Sequence, residues 1–197
     1  SKLQEKLPSN LIRKERKLNR IIDWNYQNIN NLINNVNLID FFNLKIQQYK
    51  RTGARNIFNE NTKNFYKYFF KNKSQIKPFM SAIVEKKTDK IIAGTFSLVY
   101  KNTFFWLFPV YDNNYKKCSP GLIYLKYLFD DLRNNYEINQ FDFGAGDEDY
   151  KLLFSNEKIY LYDYYKYFST KGLIFKLIYK LFYFIKNNHF SRPLLMK

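Results

Sequence analysis

Apolar residues change their spacing once along this chain, and that change limits the fold more than any other feature of the sequence. Before Pro78 they recur at helical spacing, and beyond it they alternate with a period of two. The spacing predicts helices over 8–24, 38–51 and 62–73, followed by strands around 82–84, 92–100 and 104–111. Because the turns at 87–90 and 101–103 are short, the strands are expected to form an antiparallel meander.

The elements beyond the meander complete a mixed α/β (α+β) pattern around a mostly antiparallel central sheet. They are a helix over 122–132, a strand over 138–144, a short helix over 147–155, an aromatic strand or bent strand pair over 159–168, and a helical tail over 172–188. A chain of 197 residues has the length of a single domain. One domain is therefore expected over 1–197, with its core in 38–168.

Three residues are expected to control local geometry. Gly53 is predicted to end the second helix, and Thr62 is predicted to cap the third. Pro109 removes a hydrogen-bond donor from its strand, so the sheet is expected to bulge or splay near this position.

The formal net charge of +16 raises the question of a nucleic-acid partner. Most of this charge lies at the ends, because residues 1–20 carry +5 and residues 164–197 carry +7, which leaves +4 for the body. The 46% hydrophobic and 20% aromatic content favours a packed globule whose aromatic residues mostly face the core. A basic nucleic-acid-binding protein is therefore the least favoured function class.

The single cysteine and the single histidine exclude several kinds of site. Cys118 alone cannot form an internal disulfide or a cysteine-cluster metal site, and it has no histidine to activate it as a nucleophile. His189 has no second imidazole for a metal site or a Ser–His pair, so no metal is expected. No apolar run is long enough to cross a bilayer, and the sequence predicts a cytoplasmic protein.

The most informative segment is the loop Lys-Lys-Cys-Ser-Pro-Gly at 116–121, which joins a strand to the long helix. A loop that opens directly into a helix presents unpaired N–H groups and the positive end of the helix dipole, which together suit a pyrophosphate. The alternative is an ordinary strand-to-helix connection that begins with Ser-Pro.

Two segments carry a family resemblance. The loop is similar in spacing to the coenzyme A pyrophosphate loop of GNAT acyltransferases, Arg/Gln-x-x-Gly-x-Gly/Ala, with Lys116 as the basic residue, Ser119 in place of the first glycine and Gly121 as the second. The segment FDFGAGDEDYK at 141–151 resembles the Asp-Phe-x-x-Gly-Asp-x-x-Tyr-Lys signature of CelD-like GNAT domains, which occur in cellulose and polysaccharide biosynthesis proteins. Its matching residues are Asp142, Phe143, Gly146, Asp147, Tyr150 and Lys151.

The resemblance, which covers roughly 7–154, implies a GNAT fold and an acyl-CoA-dependent N-acyltransferase with acetyl-CoA, or another acyl-CoA, as donor. The acceptor it implies is an amine, such as that of an amino sugar in envelope polysaccharide biosynthesis. The alternatives are an aminoacyl transferase like the related FemAB-like enzymes, or an inactive GNAT scaffold. Paired GNAT halves in the family also suggest that the chain is the second half of a longer protein.

Acyl transfer from a thioester to an amine needs a proton acceptor, a proton donor and stabilisation of developing charge. Because a strand end followed by a short helix brings carboxylates to the mouth of a cleft, Asp147 or Glu148 is predicted as the base. Tyr150 is the candidate acid for the leaving thiolate. The alternative is that Asp147 caps the helix and that the Asp-Glu-Asp run is its negatively charged first turn.

The resemblance also implies the residues that bind the donor. Lys116, Ser119 and Gly121 would contact the pyrophosphate, and Lys151 is a further candidate anion contact. A splay near Pro109 would free the backbone groups of its neighbours Phe108 and Val110 for the pantetheine arm.

The helical tail has a narrow polar stripe formed by Lys176 and Lys180 on an otherwise apolar surface. Such a helix can pack on the domain or on a missing partner half. It can also lie on an anionic membrane, which would make the protein peripheral at the inner membrane face.

Overall fold

The computed structural model of the protein describes residues 10–29, 35–71, 75–146, 148–162, 164, 166 and 168–187. The chain divides into two compact units, Ser1–Asn156 and Glu157–Lys197. Each unit is described by itself below.

The first unit combines helices with a single sheet in its described part. The helices are α1 (Leu11–Ile21), α2 (Asn35–Thr52), α3 (Glu60–Lys71), α4 (Pro120–Asn135) and α5 (Asp149–Phe154), with a 3₁₀ helix at Asn113–Cys118. The strands are β1 (Trp24–Asn28), β2 (Ile76–Glu85), β3 (Ile91–Tyr100), β4 (Thr103–Tyr111) and β5 (Gln140–Asp142).

The strands lie in sequence order, β1-β2-β3-β4-β5. Strands β1 to β4 are antiparallel, which confirms the predicted meander, and β5 joins β4 in parallel. The β4–β5 pairing runs only from Thr103 opposite Gln140 to Phe105 opposite Asp142. Beyond Phe105 the two strands part, and β4 continues to Tyr111 beside β3 alone.

Helices cover both faces of the sheet. Ile83 of β2 lies in a core cluster with Leu128 of α4, whereas its neighbour Ala82 lies in a second cluster with Phe42 of α2. Alternate side chains of a strand point to opposite faces, so the two clusters are the two faces of one sheet. The predicted mixed α/β fold is confirmed, with α1, α4 and α5 on one face and α2 and α3 on the other.

The irregularity expected at Pro109 begins slightly earlier in β4. The register with β3 shifts so that Trp106 and Leu107 together face Ser97, and this extra residue is a β-bulge. Pro109 follows the bulge and stays opposite Thr95. The splay itself therefore opens on the β5 side of β4.

The sequence analysis missed β1 and extended the first helix too far. Helix α1 ends at Ile21 because Ile22 is extended, with φ −142° and ψ 151°. Trp24–Asn28 then pairs with β2 along its whole length. Trp24 and Tyr26 alternate with Asn25 and Gln27, and both aromatic residues pack against the core cluster on the α4 face. This alternation is short and directly follows a helical pattern, so the predicted helix was extended into it.

Three other local expectations have different outcomes. Gly53 follows α2 with φ +70°, as predicted for the residue that ends this helix. Helix α3 is capped by Asn59, whose side chain accepts a hydrogen bond from the Thr62 N–H at 2.9 Å, so the prediction of Thr62 as cap was wrong. The strand predicted over 159–168 was also wrong, because the described residues of this segment have no regular secondary structure before Ser169.

The described part of the second unit contains helix α6 (Thr170–Asn187), close to the predicted tail helix. Lys176 and Lys180, the predicted polar stripe, lie in this helix with many exposed apolar side chains, such as Leu177 at 68% exposure. Among the described residues, no helix is long and apolar enough to span a membrane.

Gly94 is the position where the sheet tolerates a side chain least. It lies in β3 between Ala82 of β2 and Val110 of β4, and a Cβ there would lie 2.7 Å from the backbone oxygen of Ser81. Backbone of a central strand cannot move aside cheaply, so we expect Gly94→Ala to lower the free energy of unfolding by about 1–3 kcal/mol. Urea unfolding followed by circular dichroism measures this change.

Gly121→Ala is the matched control, since no other part of the described chain lies within 4 Å of the Cβ it would add. We expect it to leave stability unchanged or slightly raised, because alanine favours a helix over glycine. Equal stabilities of the two variants would contradict the close strand packing at Gly94.

Candidate functional site

A cleft with a volume of about 760 Å³ lies where β4 parts from β5. Its wall includes the β4 residues beyond the last β5 pair and the loop that follows β5. Lys45 and Gln48 of α2 line it from one face of the sheet, and residues of α4 and α5 line it from the other. The cleft thus reaches both faces through the gap in the sheet.

The N-terminus of α4 forms one end of this lining. Ser119 precedes the helix in the left-handed conformation, with φ 50° and ψ 54°, which is the conformation that favours glycine. Its carbonyl oxygen accepts hydrogen bonds from the N–H groups of Leu122 (3.0 Å) and Ile123 (3.3 Å), while Pro120 has no N–H. The Gly121 N–H is therefore the first-turn donor that the helix leaves without an intrahelical acceptor.

The space beside Gly121 is open. No other part of the described chain comes within 4 Å of the point where a Cβ would stand. Gly121 also lines the cleft, so this open space lies at the positive end of the 16-residue helix.

Two ammonium groups lie close to the same helix end. Lys116 is exposed and lines the cleft. Lys14 of α1 donates a hydrogen bond to Ser119 Oγ at 2.8 Å. Its helix is tied to α4 by Glu15, which accepts from Lys126 Nζ at 2.8 Å. This end of the cleft therefore suits an anion, and Lys14 is a contributor that the sequence analysis did not find.

The loop after β5 depends on Lys151, which is only 7% exposed. Its Nζ donates to the carbonyl oxygen of Ala145 at 2.7 Å and pairs with Glu148 at 2.8 Å. Gly146 has φ +118°, and a Cβ on it would collide with the Glu148 carboxylate. Lys151 therefore holds together the loop that contains Ala145 and Glu148.

Of the two carboxylates predicted as bases, the structure describes Glu148 but not Asp147. Burial acts to raise the pKa of Glu148, but the hydrogen bond and the charge of Lys151 outweigh it and hold the pKa below its ordinary value. Glu148 therefore stays ionised in neutral solution. Asp147 lies outside the described residues. Asp142 is exposed and accepts a hydrogen bond from the Gly144 N–H at 2.7 Å, which shapes the turn.

Lys45 is a cleft residue that the sequence analysis missed. It is 6% exposed, and its Nζ donates to the carbonyl oxygen of Pro109 at 2.9 Å and to Gln48 Oε1 at 3.2 Å. Burial lowers the pKa of Lys45 to about 8. The signal for it was a lysine on the apolar face of α2, four residues after Phe41 and four before Tyr49.

Most of the predicted site residues meet in the cleft lining. These are Val110, Lys116, Ser119, Gly121, Glu148, Tyr150 and Lys151. Phe108 lies outside the lining, and its ring packs edge-on against Phe58 in the core at a centroid distance of 5.3 Å. Among the described residues, no cluster of three or more histidine, cysteine or acidic side chains could hold a metal ion.

Comparisons with known proteins identify a family and similar structures. The family model of the acetyltransferase (GNAT) domain matches residues 6–152. The fold resembles the crystal structure of a possible acetyltransferase from Clostridium difficile 630, with 11% sequence identity and a TM-score of 0.56, over 74% of this chain and 99% of that one. Glucosamine-6-phosphate N-acetyltransferase from Arabidopsis thaliana aligns with 13% identity and a TM-score of 0.49, over 73% of this chain and 99% of that one. No curated protein matches the sequence.

The Glu148–Lys151 pair gives a prediction about acid stability. A carboxyl whose pKa is lowered by folding stabilises the fold only while it is ionised. We expect Glu148→Gln to lower the free energy of unfolding at pH 7 by about 0.2–1 kcal/mol, a small amount because Glu148 is largely exposed. The difference from the parent should vanish as the pH falls through the folded-state pKa of Glu148. Urea unfolding at pH 7 and pH 3 measures it.

Glu137→Gln is the control, because Glu137 is an exposed glutamate outside this loop. A loss of stability that is the same at both pH values, or the same in both variants, would contradict a role for the ion pair.

Proposed function

Because the chain belongs to the acetyltransferase (GNAT) domain family, we propose that its cleft binds an acyl-CoA donor, acetyl-CoA above all, and transfers the acyl group to an amine. The chain is an enzyme of the acyltransferase class. The observation that carries the proposal is the open space beside Gly121 at the start of α4, with Lys116 and Lys14 close to this helix end.

This helix end fits the pyrophosphate of the donor. A pyrophosphate is favoured by a backbone N–H donor, the positive end of a helix dipole and nearby cations. The start of α4 supplies the Gly121 N–H and the dipole, and Lys116 and Lys14 supply the cations. The αL conformation of Ser119 directs the chain into the helix as a glycine would, so serine at this point of the motif is compatible with the loop. Its hydroxyl is held by Lys14 at 2.8 Å.

The pantetheine arm of the donor fits the part of β4 that has lost its neighbour. Beyond Phe105, β4 has no strand partner on its β5 side in the described part of the chain. Strand edges offer N–H and C=O groups at regular spacing, which suits the amide groups of such an arm. Val110 is in this segment and lines the cleft, and its neighbour Phe108 shares the segment.

In the reaction, the amine attacks the thioester carbonyl and a thiolate leaves. Tyr150, in the cleft lining, is our candidate for protonating the thiolate. Asp147 and Glu148 are the predicted bases, but the lowered pKa of Glu148 suits a group that stays ionised and orders the loop. Lys151 orders the same loop, because its ammonium binds the carbonyl oxygen of Ala145 and the carboxylate of Glu148.

For the acceptor we propose an amino sugar used in envelope polysaccharide assembly. The support is the likeness of residues 141–151 to the CelD-like signature, in the loop that closes the cleft after β5. The N-acetyl product of such a sugar is an amide, and the reaction frees one equivalent of coenzyme A thiol.

Donor binding and turnover test the function together. We expect saturable 1:1 binding of acetyl-CoA in calorimetry, weakened about tenfold or more by Lys116→Ala, which removes a charge-assisted contact, and by Gly121→Phe, which fills the open space. Thiol release with glucosamine, compared with free amino acids, tests the acceptor class. Lys90→Ala, in the exposed β2–β3 turn, is the control for charge. Absence of binding at millimolar acetyl-CoA would contradict the proposal and favour an aminoacyl donor or a scaffold.

We also propose that α6 lies on an anionic membrane surface. The sequence has no acidic residue from Tyr164 to Lys197, and α6 carries lysines among apolar side chains that are 52–68% exposed. A helix of this kind gains apolar burial and attraction to anionic headgroups together.

Vesicle sedimentation of the full chain tests this surface. We expect binding to vesicles with phosphatidylglycerol and not to phosphatidylcholine alone. Leu177→Asp or Lys180→Glu should weaken it about fivefold or more, since each lysine near the surface contributes about 1 kcal/mol. Lys90→Glu, the same charge change on the first unit, should have less effect. Equal binding to both kinds of vesicle, or no binding to either, would contradict the proposal and favour packing of α6 on protein.

A further inference from the structure

A buried lysine without a carboxylate partner is the most unusual titratable group in the cleft. The Lys45 side chain comes from α2 and reaches the sheet edge at Pro109, inside the segment where β4 has parted from β5. Its two hydrogen bonds end on a carbonyl oxygen and an amide oxygen, and no ion pair to it occurs among the described residues. A buried ammonium in such surroundings is costly.

The two hydrogen bonds match the needs of a neutral amine. A neutral lysine has two N–H donors and one lone pair, whereas the ammonium has three N–H donors. Pro109 O and Gln48 Oε1 satisfy two donors, so the neutral form leaves its lone pair for a ligand in the cleft. The face of the Tyr49 ring, with its centroid 5.2 Å from Nζ, stabilises the charged form once a proton has been taken up.

The other titratable groups around the cleft do not supply an opposite charge to Lys45. Burial is the cause of its lowered pKa, which lies at about 8. The titratable residues that share the cleft lining are Tyr111, Lys116, Tyr124, Glu148, Tyr150 and Lys151. The carboxylate among them, Glu148, is already paired with Lys151 at 2.8 Å.

We propose that Lys45 is the general base of the acyl transfer, a role that rests on the proposed function of the cleft. The acceptor nitrogen forms a bond to the thioester carbonyl carbon, the carbon–sulfur bond breaks, and its electron pair leaves on the thiolate. The proton of the acceptor nitrogen passes to the neutral Nζ of Lys45, which becomes an ammonium and later returns the proton to solvent.

The position of Lys45 suits this step. It lines the cleft from the α2 face, whereas the proposed pyrophosphate site lies at the start of α4, on the other face. In the proposed complex, the pantetheine arm of the donor lies along β4. An acceptor that enters from the α2 face would therefore reach Lys45 beside that arm. A base works best when its pKa lies near the working pH, and Lys45 meets this condition better than Glu148.

Lys45→Arg is the decisive variant. Arginine keeps a cation and N–H donors in this position but cannot be deprotonated in a protein. We expect kcat of the parent to rise with pH and level off above about pH 8, where Lys45 is neutral. Lys45→Arg should lose this rise and about 10²-fold or more in kcat, while its acetyl-CoA affinity in calorimetry stays within a factor of about three.

Lys45→Met removes the amine but keeps a side chain of similar length, and it should lose kcat and the pH-dependent rise as Lys45→Arg does. Lys50→Met, the same substitution on the exposed side of α2, is the matched control. Parent-like kcat and pH profile in Lys45→Arg would overturn the proposal and leave a structural role. A parent that neither binds nor turns over acetyl-CoA would instead overturn the proposed function itself.

Discussion

Strand β5 pairs with β4 as far as Phe105 only, and the cleft exists because the pairing stops there. The bulge at Trp106 and Leu107 changes the course of β4, and Pro109 then lacks the N–H that a continued ladder would use. Strand β3 keeps the other edge of β4 in register as far as Tyr111. The gap is therefore local, with the β2–β4 meander on one side and a glycine-containing loop on the other.

The two ends of the cleft differ in their electrostatics. At the start of α4, the exposed Lys116, the half-buried Lys14 and the positive end of the helix dipole provide positive charge that suits an anion. At the α2 end, burial removes water from Lys45 and weakens its hold on a proton. In the proposed function, anion binding by charge and proton transfer by a desolvated amine therefore belong to opposite faces of the sheet, and β4 lies between them.

Regular periodicity accounts for what the sequence predicted correctly. The apolar stripes of α2 and α4, and the alternation in β2 to β4, are properties of neighbouring residues, so they could be read locally. Strand β1 was missed because its alternation spans only Trp24 and Tyr26 and directly follows a helical pattern. The segment at 159–168 was predicted wrongly because an aromatic stretch becomes a strand only beside a partner strand. The sequence shows Lys45 as a lysine on an apolar helix face. Its contact with Pro109 and its lowered pKa could not be predicted from the sequence.

The sequence by itself determined the fold class, the helix start at Ser119–Gly121 and the motif at 141–151, because each depends on residues that are close along the chain. Only the tertiary structure decided that Lys45 of α2 meets Pro109 of β4, that Lys14 reaches Ser119, and that Lys151 orders its loop rather than standing free. The first two contacts join residues 64 and 105 positions apart. Burial and distance at such separations are set by packing, and no local pattern encodes them.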